Sequence, residues 1–491
     1  VNPSILQVNP KFLLSEIGRG STLDDIPDSF FDAAAEHGFD WIWLLGVWTL
    51  GAAGREISRS RVEWRSEYRA ALPDLNEDDI CGSPFAVCDY TPSVELGGAG
   101  ALARFRQRLS SRGVKLLLDF VPNHVALDHP WTVTNPEYFI RGSDADLANA
   151  PSDWVRLPND QIVAHGRDPY FPGWPDTLQL NFYNTGLRSE VVQQLVRVAT
   201  MCDGVRCDMA MLLEPEVFSK TWPTRATDPN CSLPIFWPEA IATIKSKHPH
   251  FTFIAEVYWG YEGRLQEHGF DFTYDKMLYD RIIESSASAT NALLRAPLSY
   301  QQRMVHFLEN HDEPRIAGRV SFDHACAAAV ITYLAPGMRF FQRGQFEGAR
   351  IKTPIHLRRA ALEATSPRTK DFYSKLLPIV QSPLAKNGTW QPLESTPAWP
   401  GNHSCENFVS YLLSHAGAHL LVSVNLSPYR AQCRLALPCI RASSTSIEFS
   451  DLLTKAAYQR TTDDLVREGL FVELDGYACH ILSFSAGKGG C

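Results

Sequence analysis

The 491-residue chain has no apolar run long enough to cross a bilayer. Its longest, residues 41–54, contains Thr49 and three glycines. It also lacks an excess of basic charge. Lys and Arg number 46 against 55 Asp and Glu, a formal net charge of −9, which argues against a nucleic-acid binder that relies on phosphate neutralisation. The 11 cysteines are odd in number and contain no C-x-x-C pair, so they read as reduced, buried thiols. No basic segment followed by an apolar one opens the chain, so no signal peptide is visible; the start at Val1 rather than Met is compatible with a trimmed leader. The expectation is a cytosolic protein with no membrane partner. Four N-x-S/T triplets, at Asn230, Asn387, Asn402 and Asn425, are short enough to arise by chance. There is no phosphate-binding loop ending in Lys-Ser/Thr, no G-x-S-x-G elbow, no zinc-ligand spacing and no internal repeat.

What is present is core-forming material. Hydrophobic residues make up 45% and charged residues 21%, which excludes global disorder. The length fits several domains or one large α/β barrel with additions. Twelve Trp, 16 Tyr and 26 Phe supply core packing, and stacking faces for flat apolar ligand surfaces such as sugar rings.

Eight short apolar runs read as strands: residues 5–8, 39–46, 115–120, 204–208, 251–256, 270–274, 304–310 and 338–343. Helical patterns alternate with them, at residues 26–37, 101–112, 189–201 and 322–334. In the second of these, Leu102, Phe105 and Leu109 share a face, and Arg104, Arg106 and Arg108 turn outward. Eight βα units predict a closed (β/α)8 TIM barrel, an α/β fold. Two connections exceed ordinary loops. Residues 48–97 follow the second strand, and residues 125–178 form a small inserted domain after the third. From residue 386 onward, short alternating segments such as 408–413 and 419–425 predict a C-terminal antiparallel β-domain, a β-sandwich. The division is therefore 1–124 with 179–385 for the barrel, 125–178 for the insert and 386–491 for the tail.

Four of the runs end in acid: KLLLDF at Asp119, GVRCD at Asp208, FTFIAE at Glu256 and VHFLENHD at Asp312. Taken singly, each is accounted for as a helix N-cap. Taken together, they fall on the barrel face where active sites of this fold lie. Arg206 precedes Asp208 by two residues, so both point the same way. His124 and His311 add imidazoles at the same rim. Clustered carboxylates with Arg and His partners are what cleavage of a glycosidic bond needs.

These segments resemble the conserved regions of the α-amylase family (glycoside hydrolase family 13). VKLLLDFVPNH is similar to its first region, DGVRCDMAM to the second, FIAEVYW to the third and VHFLENHD to the fourth. TLQLNFYN (residues 177–184), GSPFAVCDY (82–90) and PGMRFFQRGQFEG resemble further family segments, so the likeness covers residues 1–385, and the tail resembles the family's β-domain. The resemblance implies that Asp208 is a nucleophile, Glu256 the acid and base, and Asp312 a grip on sugar hydroxyls. It implies that Arg206, His124, His311 and Phe85 bind substrate, with Phe85 where the family usually has a stacking tyrosine. Asp119 and Asn123 read as structural. One carboxylate must be charged and the other protonated near neutral pH. Arg206 beside Asp208 favours charge there, while neighbouring negative charge favours a proton on Glu256.

Departures from the family shape the subclass. Lys-His, which in the family's amylases contacts leaving-group sugars and, through a carbonyl, calcium, is replaced by Met211 and Leu212. Asp144, Asp146, Asn149 and Asp153 of the insert miss an EF-hand pattern and read as a solvated acidic loop. No cofactor is therefore required, and calcium is not expected beside Asn123. Gly82 stands where exo-acting α-glucosidases of the family carry an acid. The expected activity is retaining hydrolysis of α-1,4-glucosidic bonds in an α-glucan or malto-oligosaccharide. The alternatives are transglycosylation on the same site, with Trp48, Trp174, Trp259 and Tyr261 as an acceptor platform, and a non-catalytic binding protein. The partner is an oligosaccharide, not nucleic acid.

Overall fold

The computed structural model describes residues 2–223 and 235–485; Asn230 lies outside them. Eight parallel strands close into a barrel: β1 (Ser4–Val8), β2 (Trp41–Leu44), β3 (Lys115–Phe120), β4 (Gly204–Cys207), β5 (Thr252–Ala255), β6 (Phe272–Tyr274), β7 (Met304–Phe307) and β8 (Met338–Gln342). Around the barrel the order is β1-β8-β7-β6-β5-β4-β3-β2, so each strand pairs with its chain neighbour, as successive βα units require. Continuous apolar runs make strands buried on both faces. All four residues of β2, β4 and β7 are buried.

Every run expected as a barrel strand is one, but most end earlier than the apolar pattern. β4 stops at Cys207 and β7 at Phe307. The ladder fades rather than breaks: the Asp208 N–H still donates to the Phe120 carbonyl and the Glu256 N–H to that of Cys207. Among the helices, Phe322–Leu334 has the expected bounds. Gly98–Ser110 buries Ala101, Leu102, Phe105 and Leu109. Its outward arginines are not simply solvated, since Arg104, Arg106 and Arg108 pair with Asp24, Asp203 and Asp28.

The apolar run at residues 41–54 divides into β2, a short strand Trp48–Leu50 and the start of helix Ala52–Ser60. Trp48–Leu50 pairs with Val87–Pro92. In the segment between β3 and β4, His124–Ala126 pairs with Thr177–Gln179 and Trp154–Arg156 with Ile162–Ala164, both antiparallel. The insert's acidic residues serve local structure. Asp146 caps helix Asp144–Asn149 through Ser143, Asp144 pairs with Arg156, and Asp153 with Arg167 at 2.6 Å.

The chain divides into two compact units. The first holds Leu6–Tyr274 with Lys352–Leu362. The second holds Val1–Ile5, Asp275–Ile351 and Glu363–Cys491. In the second unit a six-stranded antiparallel sheet and a three-stranded one enclose Phe408, Leu412, Leu421, Phe449 and Leu482 with Leu435, Val472 and Leu474. Strand Leu470–Leu474 alternates buried and exposed residues, as a strand with one covered face must. The Tyr411 hydroxyl donates to the carbonyls of Val330 and Ile331, tying this sheet to helix Phe322–Leu334. Asn425 is wholly buried and donates to the carbonyls of Tyr429, Leu474 and Asp475, so its triplet is a turn-forming device. Among the described residues no helix is long and apolar enough to cross a membrane.

Candidate active site

In the unit formed by Leu6–Tyr274 and Lys352–Leu362, the strand register organises a charged cluster. Arg206 on β4 lies opposite Asp119 on β3, and Asp208 and Glu256 follow β4 and β5 directly. The Arg206 guanidinium is 1% exposed. Its Nη1 lies 2.5 Å from Asp208 Oδ1 and its Nη2 lies 2.8 Å from Glu256 Oε2. Asp119 Oδ1 is 4.0 Å from Nη1. The rings of Trp43, Phe85 and Tyr274 lie 5.4, 5.2 and 5.8 Å from the guanidinium carbon, a cation–π setting that a desolvated Arg favours. Burial alone would lower the Arg206 pKa, but the carboxylates of Glu256, Asp208 and Asp119 more than offset it and raise it.

The Arg206 guanidinium, read from the sequence as a neighbour of Asp208, also reaches Glu256. One guanidinium holds both, because its two Nη atoms face different strands. Glu256 has further donors: the Met209 N–H reaches Oε2 at 2.7 Å and the Tyr258 hydroxyl reaches Oε1 at 2.9 Å. Met209 holds φ at +43°, a left-handed conformation that costs a non-glycine residue about 1–2 kcal/mol, and its N–H is what that turn delivers to Glu256.

Asp119 is held from below. Trp43 Nε1 donates to Oδ1 at 3.1 Å and the Gly46 N–H to Oδ2 at 2.8 Å. Gly46 needs its left-handed φ of +73°, and a Cβ there would sit 2.4 Å from Pro84. Burial pushes the Asp119 carboxyl up to about 7, against the pull of Arg206. His124 Nε2 lies 3.9 Å from Asp208 Oδ2, and burial lowers the imidazole's pKa. The Trp174 ring lies 5.0 Å from that of His124.

Thus Phe85, His124, Arg206, Asp208 and Glu256 come together. His311 and Asp312 lie in the other unit, on the loop after β7. Asn310 Oδ1 accepts from the N–H groups of Asp312 and Glu313, both at 2.8 Å, fixing that turn. His311 is buried and its Nε2 lies 3.0 Å from Asp312 Oδ2, while Asp312 is exposed. Glu309, unremarked in the sequence, is buried against Arg315 at 2.6 Å and the Ile316 N–H at 2.8 Å. Its signal is an acid one residue before Asn310, just beyond the end of β7.

Trp48 does not belong to an acceptor platform: it is 1% exposed and its indole N–H donates to the Asp119 carbonyl. Trp259 is 40% exposed, holds φ at +64°, and packs edge-on against Tyr170 at 4.9 Å. Met211 and Leu212 are buried in a 3-10 turn. Gly82 adopts φ of +85°, so a side-chain-bearing acid there would be strained. Calcium, which the family resemblance raises, does not fit the residues beside Asn123. Both the side-chain oxygen and the carbonyl of Asn123 already accept from the Gln179 amide at 3.0 Å.

Residues 87–353 match the family model described as alpha amylase, catalytic domain. Over 339 residues the chain is 27% identical to alpha-amylase MalA of Haloarcula japonica, covering 65% of this chain and 46% of that protein. It is 23% identical over 237 residues to the alpha-1,4-glucan:maltose-1-phosphate maltosyltransferase of Bifidobacterium longum, covering 46% of this chain and 25% of that one. The chain spans about half the length, or less, of these curated relatives. Among solved structures, a maltogenic alpha-amylase, AmyB from Thermotoga neapolitana, superposes with a TM-score of 0.71 at 18% identity over 99% of both chains, a likeness of fold. A match that spans more than half of the residues, and that contains β3 to β8 with all four of the acidic run ends, leaves one conclusion: the chain belongs to the α-amylase family of enzymes.

Proposed function

We propose that this enzyme is a retaining α-glycoside hydrolase of α-1,4-glucosidic bonds in α-glucans or malto-oligosaccharides. The observation that carries this reading is the Arg206 guanidinium bridging Asp208 and Glu256, which holds two carboxylates side by side with different surroundings. In the retaining reaction Asp208 attacks the anomeric carbon while Glu256 gives a proton to the departing glycosidic oxygen. The bond to the leaving sugar breaks and an ester to Asp208 forms. Glu256 then takes a proton from water, whose oxygen attacks the same carbon and releases Asp208. Two inversions leave the α configuration.

Three carboxylates, Asp119, Asp208 and Glu256, share one cation. Fully ionised, the cluster would carry two net negative charges, which favours uptake of a proton. The Tyr258 hydroxyl on Glu256 Oε1 can turn from donor to acceptor, so that oxygen is where a transferable proton can be held. His124 and His311 are assigned to ring hydroxyls, Asp312 to the secondary hydroxyls of the distorted sugar, and Phe85 to stacking. The chemistry asks for no cofactor. The oligosaccharide is the only partner proposed, and the scattered cysteines support a cytoplasmic setting.

Transglycosylation is the second reading. The exposed pair Trp259 and Tyr170 supports it, as does the named activity of the Bifidobacterium relative. Incubation with maltoheptaose, sucrose and trehalose, with products resolved over time, tests both readings. Shorter α-anomeric sugars from maltoheptaose support hydrolysis. Longer oligomers or new linkages support transfer, and no product from any of them removes both.

A further inference from the structure

Where the insert leaves the barrel, three oxygens converge on one nitrogen. Gln179 is fully buried, and its Nε2 donates to the Asn123 carbonyl at 3.0 Å, Asn123 Oδ1 at 3.0 Å and the Leu180 carbonyl at 3.1 Å. Two of these acceptors are backbone carbonyls, which fixes which end of the amide points at them. The other end, Oε1, accepts from Asn123 Nδ2 at 3.3 Å. Two N–H bonds are thus shared among three oxygens around a partial positive charge. Such a set of carbonyl and amide oxygens is the kind a hard cation gathers, but at about 2.3–2.6 Å and in greater number.

The same residue ties down the chain on both sides. Gln179 is the ladder partner of His124, the Leu180 N–H donates to the Asn123 carbonyl, and the Gln179 carbonyl accepts from Ile140 at 3.1 Å. Asn123 directly precedes His124, which faces Asp208. We infer that the Gln179 carboxamide is a built-in substitute for a bound cation: a positioning residue that anchors the insert to the barrel and fixes His124 beside Asp208, so that the wild-type fold takes no ion at this place. Replacing the NH2 group by a carboxylate oxygen would put four oxygens face to face, a repulsion that a divalent cation relieves.

The test is calorimetric melting and calcium titration of the full chain, with wild type, Gln179→Glu and Gln179→Ala, in EDTA and in millimolar calcium chloride. Wild type is expected to melt at the same temperature in both media and to give no calcium heat. Gln179→Glu is expected to melt several degrees lower in EDTA, to recover with calcium, and to bind one equivalent. Gln179→Ala is expected to melt lower in both media without recovery. The inference is overturned by a wild type that loses stability on chelation, by a Gln179→Glu protein that binds no calcium, or by a Gln179→Ala protein as stable as wild type. If Gln179→Glu cannot be purified, the wild-type and alanine comparisons still decide. None of these readouts uses activity, so a failed functional assignment leaves them interpretable.

Discussion

Arg206 stands 2.8 Å from Glu256 through the nitrogen that it does not spend on Asp208. The two carboxylates assigned to opposite roles are thus held by one rigid fork, and their spacing is set by a planar group rather than by loop packing. A fork of this kind is difficult to replace. Arg206→Lys keeps the charge but offers a single point of attachment, so kcat on maltoheptaose is expected to fall about 10²–10³-fold with a smaller change in KM. Steady-state kinetics on the purified variant check this. A near-normal kcat would mean that the bridge is not needed for turnover.

Azide separates the two acidic roles. Asp208→Asn is expected to lose about 10⁴-fold or more in kcat whatever the leaving group. Glu256→Gln should still be glycosylated by an activated aryl α-glucoside, giving a burst and then slow release. Added azide needs no general base and should speed that release in Glu256→Gln with an α-configured product. Rescue of Asp208→Asn with the α product would exchange the two roles.

The exposed pair Trp259 and Tyr170 offers a stacking face for an acceptor sugar. If transfer occurs, Trp259→Ala should lower the ratio of transfer to hydrolysis about 3–10-fold, the worth of one aromatic contact. Chromatography of products at high maltoheptaose reads this ratio. An unchanged ratio assigns the acceptor side elsewhere.

His129 supplies a pH dependence unrelated to catalysis. Its Nδ1 accepts from the Trp131 N–H at 3.2 Å, and burial lowers its pKa from 6.5 to about 4. Protonation would set a donor against a donor. A depressed pKa in a base means stability that is present above pH 6.5 and lost as pH falls through about 4. The loss is expected to be on the order of 2–3 kcal/mol. His129→Asn keeps an acceptor that does not titrate, so its urea-unfolding free energy should fall less over that window. Parallel curves for the two proteins would assign the acid loss to other groups.

The sequence made the barrel readable because its strands are apolar on both faces and end in acid, a costly pattern with few structural uses. Asp119, Asp208 and Glu256 could be placed on one rim from their positions at the ends of parallel strands, and Arg206 beside Asp208 from period-2 alternation. Which atoms meet could not be read. Alternation gives the side of the sheet, whereas the bridge from Arg206 to Glu256 depends on the register between β4 and β5. Trp48 looked like a surface aromatic and proved to be a buried donor to Asp119, because its neighbours along the chain do not reveal what packs over it. Gln179 carries no charge and no metal-ligand pattern, so its role appears only once Asn123 and Leu180 are seen around it.

The central claim is a covalent glycosyl intermediate on Asp208. Glu256→Gln, quenched within the burst after mixing with an activated aryl α-glucoside and digested for peptide mass spectrometry, tests it most directly. A hexose-mass adduct on the peptide that carries Asp208, gone after azide treatment, is the predicted result. Turnover of the same substrate with no adduct, or with an adduct on another carboxylate, would contradict the account.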